Sequence, residues 1–382
     1  MSIFSAFIIV AIAATAITYK TYMGYGDYPW YIRLSFLLFI ILGWSAPFLS
    51  FMIKRNAEYA WLVGSTKILY FIFGFVFFLF IISFIRDFIW ILVDFIKRTP
   101  VEQIKNPPHI GKINVITFVV SLLFCLYGVY EAEKTPQILE YDIVSPKIKE
   151  NTKVVMLSDL HIDTDVSTKY VTKIVDIVNK QNPDLVVLVG DIIDNTPGKL
   201  YAQTEALKGL NKNNNVYVAL GNHEHYSGAL DWIIAFARLG FNVVGNYGQK
   251  AGDNGLYIAG IPDITASKND KIKVNVGNAL FNASKDDYVI MLSHTPKVAE
   301  GITKDNVDLI LSGHTHGGQI FPFHYATKRA NDGRLAGFYD ANGIKMYVSR
   351  GTRYWGPPMR ILAPSEITVF NFIKEKGNAT NN

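Results

Sequence analysis

Apolar and polar positions divide this chain into two regimes. Between residues 2 and 130 the pattern is dominated by four runs without a charged side chain: Ser2 to Tyr19, Leu34 to Ile53, Ile68 to Ile85 and Ile113 to Tyr130. Each is 18 to 20 residues long. A helix rises ~1.5 Å per residue and a bilayer's hydrocarbon core is ~30 Å thick, so each run is long enough to span. Trp30, Tyr31, Trp61, Trp90, Tyr127 and Tyr130 gather near the run ends, where amphipathic rings settle at a bilayer interface. Four buried helices of a soluble bundle would not need runs this unbroken and this rich in phenylalanine. The prediction is a transmembrane region over residues 1–130, with helices at about 2–19, 34–53, 68–85 and 113–130, and a linker over 131–150.

From Lys153 onward the pattern changes. Short β-branched runs alternate with longer amphipathic stretches. Val154 to Leu157, Asp184 to Val189, Val216 to Leu220, Tyr288 to Leu292 and Val307 to Leu311 read as strands buried on both faces. Helices are predicted near Ser167 to Lys180, Tyr201 to Leu210 and Ala229 to Leu239. Strand-then-helix alternation predicts an α/β domain over 151–374, and the late strands near Lys345 to Ser349 and Glu366 to Phe372 make its sheet mixed. A polar tail, 375–382, follows.

Charge adds the orientation. Lys20, Arg33, Arg86, Lys97, Arg98, Lys105 and Lys112 lie in loops on one side; Lys54, Arg55, Lys67 and Lys134 lie on the other. The richer side belongs in the cytoplasm, which places both termini and the α/β domain outside it. The first run contains AIAATA, which resembles a cleavage site, but no Lys or Arg precedes Lys20, so an uncleaved helix is expected. The expected setting is a multi-pass protein of the cell membrane with the bilayer as partner. Net charge is +5 and evenly spread, with 13 basic against 10 acidic residues in 1–150 and 24 against 22 beyond, which gives nucleic-acid binding no support. The one cysteine, Cys125, sits in the fourth apolar run and excludes an intrachain disulfide.

The chemistry lies where the strands end. VVML leads into SDLH, DLVVLV into GDIID, VYVAL into GNHEH, YVIML into SHTP and DLIL into SGHTHGGQ. Loops beyond the carboxyl ends of such strands converge. They carry Asp159, His161, Asp191, Asp194, Asn222, His223, His294, His314 and His316, so five of the eight histidines fall at strand ends. Strand-ending turns explain aspartates and asparagines but not five histidines. An Asp, His and Asn set without cysteine suits manganese, iron, zinc or magnesium. It has more ligands than one tetrahedral ion needs and fits two ions sharing a carboxylate.

The ordered set DLH at 159–161, GDIID at 190–194, GNHE at 221–224, His294 and GHTH at 313–316 resembles the calcineurin-like metallophosphoesterases. The SGHTHGGQ form and the SRGT at Arg350 look most like the membrane-anchored bacterial branch. His294 departs from the family pattern in following serine within SHTP. The resemblance implies two mixed β-sheets flanked by helices. It also implies two divalent ions per chain, manganese foremost, with Asp159, His161 and His316 on one, Asn222, His294 and His314 on the other, and Asp191 bridging. A metal-bridged hydroxide would attack the phosphorus, His223 would protonate the leaving oxygen, and Asp194 would orient His223. Glu224 is expected to be structural, and Arg350 and Arg353 are candidates for contact with substrate phosphate.

The resulting expectation is a membrane-anchored dimetal phosphoesterase hydrolysing phosphomono- or phosphodiesters, with a lipid- or envelope-linked substrate. One alternative is a cytoplasm-facing pyrophosphate hydrolase acting on a nucleotide-linked lipid. A non-catalytic receptor or transporter is the alternative of a different class, and it is disfavoured because the four runs hold no charged residue of the kind transport pathways use.

Overall fold

The computed structural model describes residues 3–25, 27–99, 109–210, 215–265 and 272–375. The ends of two sequence predictions, residue 2 of the first helix and residues 376–382 of the tail, lie outside the described residues. The chain divides into two compact units, Met1–Glu133 with Gly356–Met359, and Lys134–Trp355 with Arg360–Asn382.

Among the described residues the first unit holds four helices: α1 (Ile3–Met23), α2 (Trp30–Arg55), α3 (Thr66–Lys97) and α4 (Ile110–Glu133), with a 3-10 segment Ala57–Ser65 between α2 and α3. Three candidate spans are long and apolar enough to cross a membrane: α2, the 41 residues Ala57–Lys97 that contain α3, and α4. The described apolar part of α1, Phe7–Met23, is shorter. One difference from the sequence reading is that α3 does not stop at Ile85. It runs 32 residues, about 48 Å, and carries Arg86 and Asp87 within it. These charges are held by neighbours. Asp87 accepts from Thr21 Oγ1 at 2.8 Å, and Arg86 donates to Asn114 Oδ1 at 2.8 Å and Thr117 Oγ1 at 3.0 Å, so one polar knot ties α1, α3 and α4. A buried charge is costly unless paired, and these two also pair with each other, Arg86 Nη2 standing 2.6 Å from Asp87 Oδ1.

The second unit is a sandwich of two six-stranded mixed sheets. The residues read as a linker supply a strand, β1 (Gln137–Ser145). There follow β2 (Thr152–Leu157), α5 (Thr168–Lys180), β3 (Leu185–Val189), α6 (Tyr201–Leu207), β4 (Val216–Ala219), α7 (Asn222–Arg238), β5 (Asn242–Val243), β6 (Tyr247–Lys250), β7 (Leu256–Gly260) and the short α8 (Val276–Ala279). The last elements are β8 (Tyr288–Leu292), β9 (Leu309–Ser312), α9 (Phe323–Ala330), β10 (Gly337–Ala341), β11 (Ile344–Val348) and β12 (Glu366–Lys374). One sheet has the order β1-β12-β2-β3-β4-β5 and the other β10-β11-β9-β8-β7-β6. The strands β2 to β5 run parallel, as do β7, β8, β9 and β11. β1 lies parallel to β12, which is antiparallel to β2.

Local rules account for the helices that cover the first sheet. In α5, Val171, Ile174, Val175 and Val178 recur at helical spacing and are buried. The Ser167 hydroxyl caps its start by accepting from the Tyr170 N–H at 3.2 Å. On the same face of the sheet, Trp232 of α7 is fully buried, and its indole N–H finds the Asn195 carbonyl at 3.0 Å. Between the sheets pack Met156, Val187, Val189, Ile258, Ile290 and Leu311. Side chains alternate along each strand, so continuously apolar strands are what two covered faces require. The sandwich brings the carboxyl ends of β2, β3 and β4 opposite those of β8 and β9.

Candidate active site

The nine site residues stand two to five residues past strand ends, and five of them lie on backbone that ordinary residues avoid. Asp159 (φ 54°), His161 (φ 44°), Asp191 (φ 52°), His314 (φ 70°) and His316 (φ 50°) all occupy the left-handed region. That conformation costs a non-glycine residue roughly 1–2 kcal/mol, so the surrounding fold must over-determine it. Close approach explains one glycine. A Cβ on Gly313 would meet the Asp159 carboxylate and Ser158 at under 3 Å.

The anchor of this arrangement is Glu224. Its fully buried carboxylate accepts from the backbone N–H groups of Asp191 (3.0 Å), Ile192 (2.7 Å), Ile193 (3.0 Å) and Gly221 (2.7 Å). One side chain therefore fixes the loops after β3 and β4 together. Burial and the Asp191 charge push the Glu224 carboxyl up, while the N–H donors of Ile193 and Gly221 oppose that shift.

The structure brings the nine strand-end residues into one cluster. Asp159, His161 and His316 form one group able to hold a metal ion, and Asp191, His294 and His314 form another. Asn222 joins the second, its Oδ1 3.0 Å from His314 Nδ1. A third grouping, His161, Asp194 and His223, is already closed by hydrogen bonds, because Asp194 Oδ1 lies 2.7 Å from the Nδ1 atoms of both rings. Spending its Nδ1 proton there leaves His161 Nε2 bare, and it faces His316 Nε2 at 3.0 Å.

His294 tests most directly whether the residues fit a cation. Its Nδ1 lies 2.8 Å from the Val189 carbonyl, a contact that needs the ring proton on Nδ1. Its Nε2 is buried without a hydrogen-bond partner and stands 3.1 Å from Asp191 Oδ2. Two acceptors face each other, an arrangement that requires either a proton or a metal ion between them. Burial disfavours the protonated His294, yet the Asp191 and Asp159 charges carry its affinity for a proton well above the ordinary value. The donor set is all oxygen and imidazole nitrogen, so the residues fit divalent ions of intermediate hardness.

His223 stands outside the two groups around Asp159 and Asp191. Its backbone N–H donates to Asp191 Oδ1 at 2.8 Å, its Nδ1 is bound to Asp194, and its Nε2 remains 3.9 Å from Asp191 Oδ2. Burial lowers its proton affinity, but the Asp191 and Asp194 charges override this and raise the pKa to about 9. Burial alone would raise Asp194; the His161 and His223 rings instead hold it well below the usual carboxylate range.

The two arginines proposed from the sequence each have protein partners. Arg350 Nε pairs with Glu366 Oε2 at 2.6 Å. Arg353 is buried, donates to the His161 carbonyl at 3.1 Å and the Tyr354 hydroxyl at 2.8 Å, and lies 4.1 Å over the Tyr354 ring. Sequence reasoning missed Arg360. It is fully buried and donates to the carbonyls of Arg350 (2.8 Å), Ala363 (2.7 Å) and His316 (3.3 Å), gathering the loop behind His316. Its signal in the sequence is a lone arginine in the otherwise apolar MRILAP. It also missed Asp263, fully buried after β7, which binds Thr295 Oγ1 at 2.5 Å and so steadies the residue next to His294.

Comparison with known proteins agrees with this geometry. The calcineurin-like phosphoesterase family model matches residues 152–318. A Campylobacter jejuni metallophosphoesterase is 36% identical over 303 residues, covering 74% of this chain and 77% of that one. The chain belongs to the calcineurin-like metallophosphoesterase family. A Helicobacter pylori metallophosphoesterase is 32% identical and covers 89% of this chain and 90% of its own length. A Danio rerio transmembrane protein with a metallophosphoesterase domain is 31% identical, with coverage of 66% and 61%. As a metallophosphoesterase, the chain is a metal-dependent hydrolase of phosphoesters, and the groups around Asp159 and Asp191 are its candidate metal-binding residues.

Proposed function

We propose that this metallophosphoesterase is anchored in the cell membrane by its four N-terminal helices and hydrolyses phosphomono- or phosphodiesters that are lipid- or envelope-linked, outside the cytoplasm. Two divalent ions, manganese foremost, would be held by Asp159, His161 and His316 on one side and Asn222, His294 and His314 on the other, with Asp191 available to both. The observation that carries this is the His294–Asp191 contact, where two acceptors meet at 3.1 Å and only a cation or proton reconciles them. When bound, such a pair of ions activates water and neutralises phosphoryl charge.

The chain's own residues supply the rest. His223 delivers the Nε2 proton to the leaving oxygen, because its Nδ1–H is spent on Asp194 and its Nε2 is the edge left open. Asp194 fixes the tautomer and orientation of that ring and balances its charge. Arg350 and Arg353 are the candidates for contact with substrate phosphate, and Arg350 Nε pairs with Glu366 while Arg353 also holds the His161 carbonyl. The test is hydrolysis by the full-length protein in detergent, across phospholipid, nucleotide and sugar-phosphate esters, with Mn²⁺, Zn²⁺ and Mg²⁺ varied and a chelator as control. Activity that survives complete metal removal would end this reading.

A further inference from the structure

The site has an aromatic wall that phosphoryl chemistry does not require. Trp355 stands 5.8 Å from the His223 ring, nearly perpendicular at 80°, and Tyr226 stands 5.7 Å from the same ring. Both are largely exposed, Trp355 at 53% and Tyr226 at 66%. Single exposed aromatics are common on protein surfaces and need no explanation. A pair beside the residue assigned to the leaving group is different, and here the main chain that carries Trp355 is also held in place.

Gln319 clasps the main chain at Trp355. The Trp355 backbone N–H donates to Gln319 Oε1 at 2.9 Å, and Gln319 Nε2 donates to the Trp355 carbonyl at 2.9 Å. Gln319 is the last residue of SGHTHGGQ and is itself left-handed, at φ 46°. The loop that bears His314 and His316 thus also sets Trp355. Tyr226 is one turn along α7 from Asn222, just before Gly228 interrupts the helix at φ 106°. Tyr226 therefore rides on a helix that starts at a candidate metal ligand, and the main chain of Trp355 is tied to a loop that carries two others.

We propose that Tyr226 and Trp355 form a clamp for a leaving group that carries a flat ring, either an aromatic ring or the face of a pyranose. The proposal rests on the assignment of His223 as the proton donor, since that is what puts the leaving group between these rings. Aromatic side chains bind such faces by offset or edge contacts with defined geometry, and they do so without the rotamer cost of long flexible side chains. An alkyl leaving group gains little from this geometry.

The experiment compares esters of four alcohols on the full-length protein in detergent: glycerol, benzyl alcohol, the 6-hydroxyl of glucose, and choline. Each is supplied as the phosphomonoester and as the methyl diester. The wild type is expected to favour a ring-bearing ester over the glycerol ester in kcat/KM, with the benzyl and glucose arms telling aromatic from sugar. Trp355→Ala and Tyr226→Ala should each lower that ratio roughly three- to tenfold. Trp355→Phe should retain most of it, and Gln319→Ala should lower it as Trp355→Ala does. A ratio near one in the wild type, or a ratio unmoved in Trp355→Ala, overturns the clamp while leaving phosphoesterase activity standing. A Trp355-dependent preference for choline above both rings overturns it in favour of cation recognition. Absence of hydrolysis on every ester with every metal ends the phosphoesterase reading and the clamp with it.

Discussion

Asp194 Oδ1 lies 2.7 Å from His223 Nδ1. The same oxygen lies 2.7 Å from His161 Nδ1, so the carboxylate that orients the candidate acid also orients a candidate metal ligand. Asp194→Asn should therefore have two effects. Through His161, metal affinity should fall about 10–100-fold, the usual loss when a ligand's hydrogen-bond partner is removed. Through His223, turnover on alkyl esters should fall about a hundredfold even at saturating metal. Full rate at saturating metal would assign Asp194 to His161 alone.

The charge around His223 has a direct signature in the metal-free protein. Its pKa is raised to about 9 against an ordinary 6.5. A raised folded-state value means that the protonated ring stabilises the fold fully below about pH 6.5 and that this contribution is lost as pH rises through about 9. Ring resonances of His223 in chelator-treated protein should show a midpoint near the upper value, and Asp194→Asn should move it down. A midpoint at 6.5 in both proteins would contradict the geometry.

His223→Ala should keep both metal ions and lose far more rate on alkyl esters than on nitrophenyl esters, whose leaving group needs little proton assistance. General acids typically contribute ~10²–10⁴-fold. Paired kinetics with elemental analysis decides the matter. Equal losses on the two substrates, or a missing ion, would remove His223 from the acid's role.

Glu224→Gln tests the anchor. The carboxylate receives four N–H groups, and a glutamine turns one of its two acceptor atoms into a donor. At least one buried N–H would then face an N–H, at a cost of about 1–3 kcal/mol. For a domain of this size that lowers Tm by roughly 2–12 °C. Thermal unfolding of the full-length variant, read by circular dichroism, checks it; an unchanged Tm would mean that the loops are held elsewhere.

Reporter fusions after Lys149 should be active outside the cytoplasm. The ground is the seven-to-four count of basic residues between the two sets of helix loops. A fusion active only in the cytoplasm would reverse the proposed orientation.

The site was legible in the sequence to the extent that its residues follow strands. Each of the five predicted strands is buried on both faces, and such strands announce themselves as unbroken apolar runs that end abruptly in polar loops. β1 and β10 escaped notice because they alternate or are half exposed, and β1 follows Pro136 in a stretch that reads as connector. β7, a five-residue run after Gly255, carried the right signal but no polar cluster to draw attention to it, and Asp263 beyond it was passed over. Arg360 and the Gln319–Trp355 clasp were invisible for a different reason. Their partners are backbone carbonyls and amides 3 to 44 positions away, and such partners leave no residue type to read. The length of α3 was missed because Arg86 and Asp87 end an apolar run without ending a helix; their partners on α1 and α4 let it continue.

The left-handed backbone at Asp159, His161, Asp191, His314 and His316 has a consequence for how such a protein changes over evolutionary time. Side chains whose main chain is locked by strand ends and by the Glu224 anchor cannot be re-aimed gradually, because the next available conformation is a different region of φ and ψ altogether. The reaction centre is thus inherited whole or lost. New substrates must be acquired at positions outside it, such as the rim rings, where one side chain can be exchanged for another without disturbing a single ligand.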